Sequence, residues 1–147
     1  MIEKIAIEIN ASPEQVFLFL CEYDKHYTEV SENHIERVTN IKNPDLEHPD
    51  VTFCFRQISP ISGKEQKVRG SVTRVEINRY IAYKLLFPTS LYLKRVEEIL
   101  EPAADGCLLT TNLYFTFIAK LAKNSRHKVA EHIKGELEEM RDMLEKK

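Results

Sequence analysis

Near the C-terminal end of the chain, in the run HIKGELEEMRDMLE, His132 and Glu136 have the types and spacing to do chemistry. The run is patterned as a helix, and helical residues four apart share a face, so this imidazole and carboxylate can reach one ion. Nitrogen and carboxylate oxygen ligands suit Zn²⁺, and a catalytic zinc keeps one position open for water or substrate. Bound zinc can bring the pKa of its water down to ~7 and polarise a carbonyl. The competing reading is a solvated pair on a highly charged helix. At ~100° per residue, Glu136 lies roughly 75° and His132 roughly 115° from the centre of the helix's apolar stripe. Both flank the stripe, where a side chain can border a cavity or face water. A twin pair with the same spacing, His127 and Glu131, falls nearly opposite the stripe and is expected to be solvated.

Other side chains offer weaker chemistry. His26 and Tyr27 are candidates to pass a proton to a leaving group, against the plainer reading of a surface histidine and a half-buried tyrosine. Tyr83, Tyr92 and Tyr114 fall in strand-like segments, where they would line a cavity and donate hydrogen bonds to a phenolic or carbonyl ligand; packing is the alternative for each. Arg69, Arg74 and Arg95 are expected on the outer face of a sheet, and His48 in a loop. The sequence holds no Ser-His-Asp order, phosphate-binding glycine loop or dinucleotide fingerprint.

The elements that must position these residues follow from periodicity. Ile2–Ile9 alternates, with Ile5, Ile7 and Ile9 on one face, and predicts a half-buried strand. Ser12-Pro13-Glu14-Gln15 opens a helix: Ser12 caps, Pro13 suits the first turn, and Gln15 completes an S-x-x-Q box. A second short helix is expected over Tyr23 to Val30. From Ile35 to Phe117 the pattern is mostly extended and broken by short turns, which implies antiparallel strands. Gly63 is suited to a positive φ in one of those turns, and Gly70 to a bulge or curve. From about Asn124 to Lys147, Val129, Ile133, Leu137, Met140 and Leu144 recur every three or four residues and predict one long amphipathic helix. Such a helix must bury its stripe, and an antiparallel sheet has one apolar face to offer. The expected fold is α+β, a helix-grip arrangement of six to seven antiparallel strands curved around the C-terminal helix, with two short helices after the first strand. A gap between sheet and helix would form a ligand cavity.

At 147 residues, residues 1–147 are expected to form one domain with a substantial core. A net charge of −2 without a dense basic cluster argues against a nucleic-acid footprint. No stretch is long enough to span a bilayer and no signal-peptide pattern opens the chain, so a cytoplasmic location is expected. Cys21, Cys54 and Cys107 are too widely spaced for a metal knuckle or a disulfide framework. Oligomeric state, including a homodimer, is left open.

The opening I-x-I-x-I-N-A-S-P-E-Q-V-F-x-F-L and the ending HIKGELEEMRDMLE resemble those of the SRPBCC superfamily, also called START-like or Bet v 1-like, in its polyketide cyclase-like members. That resemblance spans essentially the whole chain and implies the helix-grip fold, but no single activity. A narrower resemblance is to zinc-dependent hydrolases of the diacetylphloroglucinol and phloretin type, which cleave a carbon–carbon bond of acylated phloroglucinols. Tyr27-Thr28-Glu29-Val30-Ser31-Glu32-Asn33-His34 is similar to their Y-x-E-W-H-P-D-H segment, with Val30 and Ser31 in place of Trp-His, and a glutamate follows about thirty residues later. The resemblance therefore implies a zinc site of His34, Glu65, His132 and Glu136. It further implies a metal-assisted hydrolase acting on an aromatic ketone-like substrate. Gly135 departs from the related sequences, and this chain is much shorter than those hydrolases. The alternative expectation is a non-catalytic carrier of a lipid or other hydrophobic molecule, without metal. A regulatory protein that binds a partner through a sheet edge is a third class, with nothing in the sequence to favour it.

Overall fold

The computed structural model describes residues 2–21, 34–37 and 52–146. Seven strands form one antiparallel sheet: β1 (Ile2–Ile9), β2 (His34–Arg37), β3 (Thr52–Ile58), β4 (Glu65–Glu76), β5 (Tyr80–Leu85), β6 (Leu93–Ala103) and β7 (Gly106–Phe115). Their spatial order is β1-β7-β6-β5-β4-β3-β2. Strands β2 to β7 therefore run as a meander, and β1 adds itself beside β7 with Ile2 opposite Tyr114 and Ile9 opposite Cys107. Among the described residues, three helices accompany the sheet: α1 (Pro13–Cys21), α2 (Phe117–Leu121) and α3 (Lys123–Glu145). A 3-10 turn, Thr89–Leu91, lies in the connection from β5 to β6. This is the helix-grip arrangement expected from the periodicity.

The local signals behave as their chemistry requires. The Gln15 backbone N–H donates to Ser12 Oγ at 3.2 Å, and the Ser12 N–H donates back to Gln15 Oε1 at 2.9 Å, closing the capping box that starts α1. Gly63 takes φ 73° in the β3–β4 turn. Gly106 opens β7 at φ 152°, where a Cβ would stand 2.2 Å from the Ile9 carbonyl oxygen, so no larger residue fits between β1 and the β6–β7 turn. The bulge in β4 falls between Val72 and Arg74 rather than at Gly70. The predicted helix over Tyr23 to Val30 lies outside the described residues. Helix α2 and the 3-10 turn were not legible in the periodicity, because each is too short to display a repeat.

The apolar interior is in two parts. One packs α1 and the C-terminal half of α3 (Leu137, Met140, Leu144) against Ile9, Val72, Val75, Ile81, Leu100 and Leu109. The other gathers Val68, Leu85, Leu93, Val96, Leu113, Phe115 and Ala119. Ile5, Tyr83 and Ile133 pack against both. Along α3 the apolar stripe changes role: Leu137, Met140 and Leu144 are buried, whereas Val129 and Ile133 are only half-buried. Those two sit over a space that the side chains leave unfilled. Two ties fix the helix across the sheet. Glu145 Oε1 accepts from the Asn10 N–H at 3.0 Å, and Arg126 Nε stands 3.8 Å from Glu3.

Candidate ligand cavity

Between the two parts of the interior lies a cavity of about 390 Å³, open at one side and bounded by the concave face of the sheet and by α3. Most of its wall is apolar: Val68, Ile81, Leu85, Leu93 and Val96 from the strands, and Val129, Ile133, Leu137 and Met140 from the helix. A volume of this size, with few polar groups in an apolar wall, is characteristic of small-molecule sites.

Four polar groups of the wall come from the sheet and the helix that face each other. From the helix, His132 Nε2 stands 2.8 Å from Glu136 Oε1, and both side chains are largely covered, with 7% and 17% exposed. From the sheet, Glu98 on β6 accepts a hydrogen bond of 2.5 Å from Thr111 Oγ1 on the neighbouring strand β7. All four line the cavity. Glu98 arrives there because β6 alternates: Val96, Glu98 and Leu100 are buried on the inner face while Arg95, Glu97 and Ile99 look outward. Burial pushes the Glu98 carboxyl up to about 8; the Thr111 hydroxyl pulls it back in part, and the Glu136 charge adds to the rise. At neutral pH it is a neutral acid that can donate as well as accept. For His132 burial works toward a lower pKa. The hydrogen bond and charge of Glu136 more than offset it, so the imidazole is held above its ordinary value and favours the protonated form.

The remaining sequence candidates are distributed as follows. Tyr83 and Tyr92 line the cavity. Tyr92 stacks edge-on against Phe115 with ring centres 5.9 Å apart, and its hydroxyl donates to the Ala122 carbonyl at 3.4 Å. Tyr114 does not line it. On β7 it is out of phase with Leu113 and Phe115, so it stands on the outer face, hydrogen-bonded to Glu97 with the Arg95 guanidinium 4.1 Å from its ring centre. Arg74 and Arg95 occupy that outer face too, 2.8 Å from Glu76 and 3.7 Å from Glu97. His127 and Glu131 are exposed.

The predicted zinc ligands are only partly brought together. Gln57 and Gln66 face each other across β3 and β4 and line the cavity. Glu65, one residue before Gln66, belongs to the opposite face. Its carboxylate is 54% exposed and lies 2.9 Å from Arg56 Nε. Among the described residues, no three His, Cys, Asp or Glu side chains are grouped to hold one ion. His34 begins β2, its backbone paired with that of Gln57; its side chain, and all of His26, Tyr27 and His48, lie outside the described residues. Sequence reasoning missed Glu98 and Thr111. The signal was present in LKRVEEILEP as a glutamate in phase with Val96 and Leu100, the residues that face inward on the strand.

No protein-family model and no curated protein matches the sequence. Solved structures do match its fold. The di-domain ARO/CYC StfQ from the steffimycin biosynthetic pathway superposes with a TM-score of 0.78 at 14% identity, over 99% of this chain and 50% of that one. This chain thus spans half the length of that protein. Ara h 8.0201 superposes with a TM-score of 0.73 at 12% identity, over 100% and 99% of the two chains. Ms6760 from Mycobacterium smegmatis gives 0.74 at 12%, over 97% and 90%. At these identities the likeness establishes the helix-grip fold, of the Bet v 1-like type, and leaves activity to be argued from the site.

Proposed function

We propose that this protein binds one small, mostly apolar or aromatic molecule in the cavity, with the ligand's polar group set against Glu98, Thr111, His132 and Glu136. One observation carries the reading: a mostly apolar cavity of about 390 Å³ on whose wall Glu98 and Thr111 of β6–β7 face His132 and Glu136 of α3. The Glu98 carboxyl and the His132 imidazole can each donate to a carbonyl or phenolic oxygen, while the apolar wall supplies most of the binding free energy through buried area. Tyr83 and Tyr92 add flat surfaces that suit an aromatic ring. The fold shared with an ARO/CYC protein of a biosynthetic pathway is consistent with such a ligand.

The test is a fluorescence titration with the neutral apolar probe N-phenyl-1-naphthylamine, in the wild type and in Val129→Trp, which fills the cavity from α3. Saturable enhancement in the wild type, weakened at least tenfold in the variant, is expected. Equal signals from the two folded proteins would overturn the assignment.

Metal-assisted hydrolysis of a carbonyl compound is a second reading, favoured by the presence of His132 and Glu136 together on the cavity wall. The donor set does not fit the four-ligand zinc centre, since Glu65 is on the other face of β4 and paired with Arg56. The helical pair is therefore read as a polar anchor for the ligand rather than as half of a metal site.

A further inference from the structure

Next to residues of the cavity wall the protein exposes large apolar side chains on two segments that are hydrogen-bonded to each other. The β5–β6 connection presents Phe87 and Leu91, 65% and 50% exposed; α2 presents Phe117, Ile118 and Leu121, at 70%, 56% and 75%. The Thr116 N–H donates to the Tyr92 carbonyl at 3.0 Å, and Thr116 Oγ1 donates to the Leu91 carbonyl at 2.6 Å, so the two segments form one surface. Pro88, Thr89 and Tyr92 of the same connection line the cavity. Exposed apolar residues concentrated in this way mark an interaction surface rather than a random scatter.

Charge decides what the surface meets. There is no Asp or Glu between Glu76 and Glu97, or between Asp105 and Glu131. These two stretches, which carry the exposed residues, hold 8 of the 21 Lys and Arg but none of the 23 acidic residues. Lys84, Lys94, Lys123 and Lys128 are exposed on them. Arg79, Arg95 and Arg126 of these stretches are paired with Glu76, Glu97 and Glu3, which leaves the exposed lysines as the charge that accompanies the apolar side chains along the chain. Two copies meeting through this surface would bring like charges together. An anionic bilayer accepts both features, apolar side chains below the headgroups and lysines among them.

We propose that the β5–β6 connection with its 3-10 turn, together with α2, seats the protein on an anionic lipid surface. No helix among the described residues is long and apolar enough to cross a bilayer, so the mode is peripheral. The inference stands on the outer surface and does not depend on what the cavity holds.

Co-sedimentation with ligand-free vesicles tests it, comparing phosphatidylcholine alone with phosphatidylcholine containing phosphatidylserine. Binding to the anionic vesicles is expected, with release by high salt. It should weaken at least tenfold in Phe117→Ser/Leu121→Ser and about fivefold for each of Lys123→Gln and Lys128→Gln. The altered residues other than the lysines are solvent-facing apolar groups, so unchanged melting and unchanged probe titration in the cavity will show that the variants are folded. No sedimentation with anionic vesicles, equal binding to both vesicle types, or binding unaffected by Phe117→Ser/Leu121→Ser would overturn the proposal. So would the absence of vesicle binding together with a dimer, seen by analytical ultracentrifugation, that the double variant dissolves. That outcome would assign the surface to a second copy of the chain.

Discussion

Glu97 and Glu98 are the same residue type, adjacent on one strand, and the sheet gives them opposite protonation behaviour. Glu97 faces outward, where it accepts hydrogen bonds from Tyr80 and Tyr114 and a longer one, 3.4 Å, from Asn112, with Arg95 alongside. Burial acts to raise its pKa, but those donors and the guanidinium outweigh it and hold the carboxyl below its usual range. Glu98 faces inward to an apolar wall with one hydroxyl partner, and burial prevails. The difference shows that fold position, through solvent and donors, sets the chemistry of a carboxylate. It also separates the two faces by role: a fixed polar network outside, an adjustable proton-bearing group inside.

The sharpest break of this comparison is a pH titration of stability. A carboxyl whose folded pKa is raised from 4.5 to about 8 binds more protons in the folded state over that interval, so stability falls as pH rises from about 5 to 9. The raised pKa of His132 acts in the same direction: its contribution is present in acid and is lost as pH climbs through the folded value. Replacing Glu98 by Gln removes the first component. Denaturant melts of Glu98→Gln should match the wild type near pH 5 and exceed it at pH 9 by an amount on the order of a few kcal/mol. A wild type that is more stable at pH 9 than at pH 5, by the same margin as the variant, would contradict a buried neutral Glu98.

Next in size is Thr111→Val, which leaves a buried carboxylic acid without its hydroxyl partner. At pH 6 it should cost about 1–3 kcal/mol by urea unfolding, with little further cost when Glu98→Met is already present, since that background holds no buried acid for the hydroxyl to satisfy. The mirror experiment on the outer face is Glu97→Gln. Its depressed pKa contributes stability that is present above the unfolded value and lost as pH falls through the folded one, so the variant's deficit of about 1–2 kcal/mol should appear at neutral pH and vanish in acid. Burial first, then the Glu97 hydrogen bond and charge, raise the Tyr80 hydroxyl to about 12, so ultraviolet titration of the variant should show Tyr80 ionising at lower pH.

Smaller effects test the site itself. Glu65→Ala removes an exposed ion pair and should change stability by no more than about 0.5 kcal/mol and leave probe binding in the cavity unaltered. Elemental analysis of protein purified without chelator provides the complementary check. Stoichiometric zinc that disappears in His132→Ala/Glu136→Ala would restore the hydrolase reading against the polar-anchor one.

Much of the arrangement was legible because it rests on local rules. The capping box at Ser12 and Gln15, the alternation of Ile5, Ile7 and Ile9, and the turn at Gly63 depend on neighbours within a few residues. The stripe from Val129 to Leu144 depends only on helical geometry. The stripe also ranked His132 and Glu136 above His127 and Glu131, and the structure places the first pair on the cavity wall and the second in solvent. Assignments that needed a strand's phase were less secure. Tyr114 and Glu65 are each one residue away from an inward position, and a shift of one residue reverses the face.

By itself, then, the sequence determined the elements, their amphipathic faces and the expectation of a long helix held by an antiparallel sheet, since periodicity and capping are encoded over short range. The tertiary structure alone decided which side chains share the cavity. Glu98 and Thr111 meet through β6–β7 pairing, while His132 and Glu136 reach the same space from a helix more than twenty residues further along the chain. Their chemistry follows from desolvation and from each other's charge, and both come into being only when strands in register close against the helix.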